Sequence, residues 1–468
     1  MTTPVSATRS LATEIRNGRD GAPIHLFLGG AMPDAETLAQ LERLGSAPGV
    51  DRPIAVLPDI HRKGENPSPT GACIATTGTL VPRAVDTGIC CGIRVIRTGI
   101  EGRAFTPALL DALFGELMAT IPVVEHAEDV LSDQEVRDIL VRGGDWSRQR
   151  YGLGDDEMSR IDGGGTVPTD THDPDAILAA LPAKALRKGR RGYATLGAGN
   201  HFLELQEVDQ VLDEPLARML GLRLGDTVFM LHTGSRGVGS KTMKHHFEQL
   251  EARWGDPGSG SPIWTLPADS EDGRCFARAV SAASNFGFAN RIAITERLRA
   301  AIRGTIHDAS LTLPLLVDCA HVSIQAESWN GETLWVHRNG GSRALPPSAL
   351  TGHASFASTG QPIPIPGSMG DASYIGVAAE GAIQAYHSVN HGAGRVLDKP
   401  EATARYSTED VQREMREKGI RLYRYGAGDI AEQAPGSFKD ISRVVQAMQA
   451  HALATLVVRL KPLATLKG

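Results

Sequence analysis

Apolar and polar positions alternate in short runs over residues 22–100, and Gly or Pro separates the runs. This period of two is typical of β-strands divided by turns. Apolar residues at helical spacing instead predict helices over 34–44, over about 273–302 and near 440–453. Strands are predicted at 24–28, 54–57, 72–75, 92–96, 228–231, 315–317 and 455–460. The pattern predicts a mixed α/β fold, with central sheets and flanking helices around one large site.

The segment from about 125 to 190 has a different composition, because Glu, Asp, Arg and Gly become frequent and helix-like pieces alternate with breaks. We interpret it as a peripheral helical insertion in a single domain that spans residues 1–468. Its end, Lys184 to Arg191, is strongly basic. Such a run is usually a solvated helix face, and an arm that faces RNA is the alternative.

Composition narrows the class of protein. The 468 residues are 41% hydrophobic and carry a net charge of −6, so the positive field for a nucleic-acid partner must be local to a cleft. No apolar run approaches the roughly 20 residues of a membrane span. Residues 1–19 lack the apolar core of a signal peptide. Five cysteines, an odd number, argue against a disulfide framework. We therefore expect a cytoplasmic protein with no membrane partner.

Candidate chemistry lies in histidines at strand ends. His201, His232 and His321 each occur where a predicted strand meets a polar turn, and Cys91 precedes another strand. Imidazoles and a thiolate brought together across a sheet could bind a first-row divalent ion. The alternative is that each histidine only caps its own turn. His391 is set among small residues, with Arg395 four positions on. A large electrophile could approach it closely, and the guanidinium suits a phosphate.

Together the short motifs resemble the RtcB family of GTP-dependent RNA ligases, and the similarity runs nearly from end to end. Each motif alone is weak, but all of them in this order are specific. They are Leu57-Pro58-Asp59-Ile60-His61, Cys91-Gly92-Ile93-Arg94, Gly199-Asn200-His201-Phe202-Leu203-Glu204, His232-Thr233-Gly234-Ser235-Arg236-Gly237, Asn285-Phe286, Ala289-Asn290-Arg291, Val336-His337-Arg338, Pro366-Gly367-Ser368-Met369-Gly370, His391-Gly392-Ala393-Gly394-Arg395, Ala434-Pro435-Gly436, Lys439-Asp440-Ile441 and Lys467-Gly468.

The resemblance implies a reaction in three steps. His391 would attack the α-phosphorus of GTP and become guanylylated, with pyrophosphate leaving. The guanylate would pass to an RNA 3′-phosphate, either present as such or formed by hydrolysis of a 2′,3′-cyclic phosphate. A 5′-hydroxyl end would then attack the activated end and expel GMP. The implied cofactors are GTP and one or two Mn²⁺ ions. The implied partner is RNA with such ends, and the need for an activating helper protein stays open.

The resemblance also assigns residues to two sites. In the nucleotide site, Glu204 would recognise the N–H edge of guanine and Lys467 its O6, which together select guanine over adenine. The residues that would contact phosphates are Asn200, Ser368 and Arg395. The metal ligands would be Cys91, bridging, with His201, His232 and His321.

The chain departs from the family pattern near the metal. The family has an aspartate three residues before the cysteine, where this chain has Gly88. Asp86 is two residues earlier and could bind the metal only if the loop is rebuilt, and alignment on Cys90 places Thr87 there. One metal ion is therefore expected to be weak or absent. The other departures are Val322 after His321, Asn339 after His337-Arg338, Asn390 before His391 and Arg62-Lys63-Gly64 after His61.

Three functions remain open at this point. The leading hypothesis is an RNA ligase that joins 3′-phosphate to 5′-hydroxyl ends. The second is an enzyme that stops after activation and caps a 3′-phosphate of RNA or DNA with GMP. The third, which the change at Gly88 motivates, is a non-catalytic protein that binds RNA ends or metal.

Overall fold

The computed structural model of the protein describes residues 13–15, 21–30, 32–62, 66–255, 263–426 and 429–468. Helices and strands are interleaved along the chain, as a mixed α/β fold requires. The strands are Thr13–Ile15 (β1), Ile24–Leu26 (β2), Ile54–His61 (β3), Thr70–Thr76 (β4), Thr79–Leu80 (β5), Gly92–Glu101 (β6), Phe202–Val211 (β7), Asp226–Thr233 (β8), Leu266–Pro267 (β9), Leu315–Ala320 (β10), Val322–Trp329 (β11), Glu332–Asn339 (β12), Gly341–Arg343 (β13), Pro362–Ile365 (β14), Ser373–Ala378 (β15), Ser388–Asn390 (β16), Arg421–Arg424 (β17) and Ala454–Lys467 (β18).

The α-helices flank the sheets and connect their strands. They are Ala35–Gly45 (α1), Pro107–Thr120 (α2), Asp133–Arg142 (α3), Gly144–Tyr151 (α4), Asp155–Ser159 (α5), Pro174–Leu178 (α6), Ala183–Gly192 (α7), Glu214–Leu220 (α8), Arg236–Trp254 (α9), Glu271–Ile306 (α10), Lys399–Arg405 (α11), Thr408–Glu417 (α12) and Ile441–Ala450 (α13). Among the described residues, no helix combines the length and the apolar character that a membrane crossing requires.

Two large sheets form the centre of the molecule. The first has six strands in the order β1-β2-β3-β4-β12-β11. The second has eight, in the order β10-β6-β8-β7-β18-β15-β14, with β17 paired to β18. Most neighbouring strands are antiparallel, while β2–β3 and β17–β18 are parallel. The predicted mixed α/β class is therefore confirmed.

Strand β3 is longer than the sequence pattern predicted. The prediction ended at Leu57, before Pro58, whereas the strand continues to His61. Its pairing with β4 shifts register between Val56 and His61. A proline lacks the N–H that a regular ladder needs, and such an irregularity accommodates it. The extension matters because it carries Asp59 and His61 towards the site.

Helix α10 is the long helix predicted at about 273–302, and it packs against both sheets and other helices. The side chain of Ser270 accepts a hydrogen bond from Gly273 N and caps its first turn. Its middle is buried on all sides, which explains the weak amphipathic pattern there. The helices of segment 125–190 pack on it and bury Ile139, Leu140 and Trp146 in the same core. That this segment is an insertion into a single domain stays a prediction.

Candidate active site and metal centre

The candidate metal centre lies where four neighbouring strands of the eight-stranded sheet end. In the order β10-β6-β8-β7, His321 follows β10, Cys91 precedes β6, His232 is on β8 and His201 precedes β7. The register aligns these ends, since Ala320 pairs with Gly92 while His232 pairs with both Ile93 and Phe202. Antiparallel pairing thus places all four residues at the same end of these four adjacent strands.

The distances between these side chains suit a shared ion. Cys91 Sγ lies 3.2 Å from His232 Nε2 and 3.5 Å from His201 Nε2. The Nε2 atoms of His232 and His321 are 3.2 Å apart. The ligand atoms of Cys91, His232 and His321 all lie within 4.8 Å of one another, and all three residues are buried. The structure therefore brings three of the candidate ligands into one group, with His201 next to the sulfur.

The protonation of the histidines fits a metal as well. His232 Nδ1 lies 3.0 Å from the carbonyl oxygen of Asn200, which can only accept, so Nδ1 carries the proton and Nε2 has a lone pair. Burial lowers the pKa of His232 to about 3 and the pKa of His321 well below its usual range. Neutral imidazoles beside a thiol are the donor set that first-row divalent ions bind.

The Nδ1 atom of His201 lies next to an arginine, whereas that of His232 lies next to a carbonyl oxygen. Its Nδ1 lies 3.2 Å from Arg236 Nη1, and Arg236 also donates to Thr195 Oγ1 at 3.2 Å and to the Val123 carbonyl at 3.2 Å. Burial holds the pKa of His201 well below its usual range, and His232 and the Arg236 guanidinium contribute to this lowering. The imidazole of His201 is thus held neutral beside Cys91.

Asp86 is in the loop that leads to Cys91, and both its carboxylate and its backbone form hydrogen bonds. Its Oδ1 accepts a hydrogen bond from Thr87 N at 2.7 Å, and its own N donates to Asn339 Oδ1 at 3.2 Å. The loop is therefore held in a form that uses the carboxylate as a local cap. That Asp86 acts as a metal ligand stays a prediction. Gly88 is exposed, and a Cβ built on it would meet no atom within 4 Å.

Three fully buried charged side chains, Asp318, Arg291 and Arg94, form an ion network that contacts the loop before Cys91. Asp318 binds Arg291 through Oδ1 at 2.7 Å and Arg94 through Oδ2 at 3.0 Å, and all three side chains are fully buried. Arg291 also donates to the carbonyls of Cys90, at 2.6 Å, and Thr233, at 3.1 Å. The network therefore fixes the backbone next to Cys91.

His391 comes from a different part of the fold. It follows β16, and its ring centroid is 4.7 Å from that of His321. Its Nδ1 lies 2.6 Å from Asp59 Oδ2 and 2.9 Å from the Gly340 carbonyl oxygen. Both partners are acceptors, so Nδ1 carries the proton and Nε2 keeps its lone pair. Asp59 is fully buried and also accepts from His391 N at 3.2 Å.

A cavity of about 1020 Å³ opens beside His391 and the metal centre. Glu204 and Lys467 are both buried in its wall, on the paired strands β7 and β18. Burial raises the pKa of Glu204 to about 7 and lowers the pKa of Lys467 to about 8. Lys467 Nζ lies 5.4 Å from the centre of the Phe202 ring and donates to the Gly199 carbonyl at 3.4 Å. The pair offers a carboxylate and an ammonium to one ligand.

The three predicted phosphate contacts also line this cavity. Asn200 is exposed to it, whereas Ser368 is buried and donates to Asp371 Oδ2 at 2.5 Å. Arg395 lies over the Phe438 ring at 4.9 Å and donates to the carbonyls of Leu397 and Glu432. The structure thus brings Asn200, Ser368 and Arg395 to the same cavity as Glu204 and Lys467.

Three of the other departures from the family pattern form contacts near the site, while Lys63 and Gly64 lie outside the described residues. Asn339 Nδ2 donates to the carbonyls of Ser68 and Pro69, at 3.3 and 3.1 Å, and its Oδ1 accepts from Asp86 N. Asn390 Nδ2 donates to the Gly392 carbonyl at 3.2 Å. The Val322 carbonyl accepts from Cys90 N at 2.8 Å. These residues hold the loops around the metal centre and His391.

The basic run at 184–191 is largely neutralised by its own chain. Lys188 pairs with Glu125 at 2.7 Å, Arg190 with Asp129 at 3.3 Å, and Arg191 also with Asp129 at 2.8 Å. Such partly exposed pairs contribute little to stability, but they reduce the local positive field. This arrangement favours the interpretation of a solvated helix face.

Sequence reasoning assigned no role to Asp59, Arg236 or Arg291, although all three are in the motifs. A signal for Asp59 was present, since a charged residue inside the apolar run before His61 must find a partner when it is buried. The partner itself, His391, is 332 positions away in sequence, and only the fold brings the two together.

Comparison with known proteins agrees with this geometry. The family model described as tRNA-splicing ligase RtcB matches residues 40–468, and the chain belongs to the RtcB family. It is 32% identical over 452 residues to the tRNA-splicing ligase RtcB of Thermococcus kodakarensis, covering 93% of this chain and 92% of that protein. The Pyrobaculum aerophilum protein of the same name is 34% identical, covering 92% and 91%. The RNA-splicing ligase RtcB of Mycobacterium tuberculosis is 34% identical, covering 92% and 100%.

These matches confirm the predicted family and place the chain among enzymes of the RNA-ligase class.

Proposed function

We propose that the chain is a GTP- and Mn²⁺-dependent RNA ligase that joins 3′-phosphate to 5′-hydroxyl ends through a guanylylated His391. The observation that carries the proposal is the pair of acceptors, the Asp59 carboxylate and the Gly340 carbonyl, on Nδ1 of His391. Because Asp59 and the Gly340 carbonyl hold the proton on Nδ1, Nε2 has a free lone pair beside a large cavity. An imidazole nitrogen with a lone pair is a competent nucleophile at phosphorus.

The first step would be attack of His391 Nε2 on the α-phosphorus of GTP. A nitrogen–phosphorus bond forms, the bond from the α-phosphorus to the bridging oxygen breaks, and pyrophosphate leaves. Asp59 would stabilise the positive charge that develops on the imidazole, as a buried carboxylate does for a catalytic histidine. In the second step the guanylate would move to the RNA 3′-phosphate and restore neutral His391.

Guanine would be held between Glu204 and Lys467. A carboxylate can accept the two N–H bonds of the guanine edge, and an ammonium can donate to O6. Adenine would present an acceptor to Glu204 and a donor to Lys467, so the pair disfavours ATP. Asn200, Ser368 and Arg395 would contact the phosphates from the other walls of the same cavity.

Cys91, His232 and His321, with His201 beside the sulfur, would hold the divalent ion. Such an ion supplies Lewis-acid stabilisation of the charge that develops on phosphate oxygens. The geometry suits a first-row ion in general, and the family resemblance is what favours manganese. Gly88 offers no side-chain ligand where the family has an aspartate, which supports one firmly bound ion over two.

The test is to incubate the protein, GTP and Mn²⁺ with an RNA that carries a 3′-phosphate and a second RNA that carries a 5′-hydroxyl. We expect a joined product that depends on GTP, and no product from a 3′-hydroxyl strand. A 3′-guanylylated strand that persists in the presence of the 5′-hydroxyl partner would instead identify a capping enzyme. RNA binding without any turnover of GTP would identify a binding protein.

A further inference from the structure

One polar group in the cavity wall next to His391 has no partner. Thr70 is only 7% exposed and lines the cavity, and its Oγ1 forms no hydrogen bond with any described residue. A buried hydroxyl without a partner costs free energy, since it has lost its water. The oxygen itself is buried, so a bound ligand supplies the missing hydrogen bond once the Thr70 side chain rotates towards the cavity.

The neighbour of Thr70 across the sheet is His61. The two residues are direct partners between the antiparallel strands β3 and β4, so their side chains are on the same face. His61 Nδ1 lies 2.8 Å from the Asp59 carbonyl oxygen and must carry the proton. Burial lowers the pKa of His61 to about 4, so the ring is neutral and its Nε2 is an acceptor.

Both side chains are close to the proposed nucleophile. A Cβ built on Gly340 would lie 2.5 Å from Thr70 Cγ2 and 3.1 Å from His391 Cε1. The side chains of Thr70 and His391 therefore both lie next to this glycine. His61 and His391 both line the cavity and are both held by Asp59, through its carbonyl and its carboxylate respectively. A ligand bound by His61 and Thr70 would therefore be next to His391.

We propose that His61 and Thr70 form the subsite for the attacking 5′-hydroxyl end of the acceptor strand. A hydroxyl can donate to His61 Nε2 and accept from Thr70 Oγ1, which satisfies both groups. A 5′-phosphate would place acceptor oxygens against the lone pair of His61, and that contact is repulsive. The subsite therefore selects a hydroxyl end over a phosphate end by its hydrogen-bond pattern.

The charges around the subsite agree with this selection. Arg62 is paired with Glu36 and lies 3.6 Å from Asp398. Lys439 donates to the carbonyls of Pro58 and Ile60. Both cations therefore have partners within the chain, and the Asp59 carboxylate adds a negative charge behind His61.

The inference rests on the proposed function, because a 5′-hydroxyl strand has a role only in the joining step. Its test is a binding measurement that needs no turnover. The dissociation constants of two fluorescent oligoribonucleotides of one sequence, with a 5′-hydroxyl or a 5′-phosphate, are measured by anisotropy. We expect the wild-type protein to bind the hydroxyl strand about tenfold more tightly. Thr70→Val, which has the same shape, should bring the ratio close to one, and Thr70→Ser should retain it.

Thr76→Val is the matched control, because Thr76 is a buried threonine of the same strand whose hydroxyl bonds the Thr79 carbonyl. It should keep the wild-type ratio. Equal binding of the two strands by the wild type would overturn the subsite, as would an unchanged ratio in a folded Thr70→Val protein. If Thr70→Val loses GTP binding but keeps the ratio of the two dissociation constants, the Thr70 hydroxyl contacts the nucleotide instead of the acceptor strand. If the wild-type protein prefers the 5′-hydroxyl strand but is not guanylylated by GTP, the proposed function is refuted and the subsite is not.

Discussion

Asp59 Oδ2 lies 2.6 Å from His391 Nδ1, and this contact joins two segments that are 332 positions apart in sequence. The carboxylate is fully buried, whereas His391 lines the cavity. The relationship is that of a buried acid that orients a catalytic histidine and selects its tautomer. It gives His391 a lone pair in the direction in which a nucleotide can bind.

The first prediction concerns Asp59→Asn. An amide can donate to Nδ1 and so favour the wrong tautomer, and it carries no charge to stabilise the imidazolium. We expect the rate of guanylylation to fall by about 100-fold or more, measured as labelled protein against time. Asp209→Asn, which removes a carboxylate paired with Arg459 at 2.7 Å outside the cavity, should keep the wild-type rate. A wild-type rate in Asp59→Asn would show that the tautomer of His391 does not matter.

The second prediction is a narrow pH range for GTP binding. The pKa of Glu204 is raised to about 7, so its carboxylate is gained as the pH rises through about 7. The pKa of Lys467 is lowered to about 8, so its ammonium is lost as the pH rises through about 8. If guanine needs both charges, affinity for GTP is highest between these values. Titration calorimetry from pH 5.5 to pH 9 measures it.

Glu204→Gln is the variant that isolates one side of this profile. Without the carboxylate, the decline in affinity on the acidic side should disappear, and the maximum should be at least tenfold weaker. ATP is the ligand control, because a protonated Glu204 can donate to adenine N1 whereas the carboxylate cannot, so its affinity should not rise as the pH rises through about 7. A GTP affinity that is constant from pH 5.5 to pH 9 would contradict the assigned roles of Glu204 and Lys467.

The third prediction is a gain from Gly88→Asp. Gly88 has open space around it and does not have a left-handed backbone conformation, so an aspartate fits without strain. If the loop follows the family course, the new carboxylate should raise the affinity for Mn²⁺ by about tenfold, measured by competition with a chelating dye. Gly115→Asp adds the same charge in open space on α2 and should leave metal affinity unchanged. No gain from Gly88→Asp would mean that the loop directs position 88 away from the metal.

The fourth prediction tests the buried ion network. Asp318→Asn removes the carboxylate that pairs with the fully buried Arg291, whereas Arg94 keeps its second partner, Glu157, at 2.5 Å. An unpaired buried charge typically costs about 3–5 kcal/mol, and we expect a loss of this size in the free energy of unfolding by urea. Asp170→Asn breaks the pair with Arg278, which is partly exposed, and should change stability little. An equal effect of the two substitutions would show that burial of the network is not what stabilises it.

Much of the fold was predictable because its elements have strong local patterns. The long helix at about 273–302 and the strands at 228–231 and 315–317 have apolar runs with clear periodicity, and the structure contains them as α10, β8 and β10. The end of β3 was predicted too early, since Pro58 suggests a break. Only the irregular pairing with β4 shows that the strand continues.

The site was predictable in part for a different reason. Each histidine at a strand end is visible in the sequence, but the order of the strands in the sheet is not. Cys91 and His321 become neighbours only because β6 and β10 pair. The partner of Asp59 likewise depends on a contact that no sequence period encodes.

The most direct test of the account is covalent labelling. The protein and its His391→Ala variant are incubated with α-labelled GTP and Mn²⁺, separated on a denaturing gel, and compared for label. The account predicts an acid-labile label on the wild-type protein and none on a folded His391→Ala variant. Retained label in the variant would identify another nucleophile, and absence of label from a metal-loaded wild-type protein would contradict the proposed reaction.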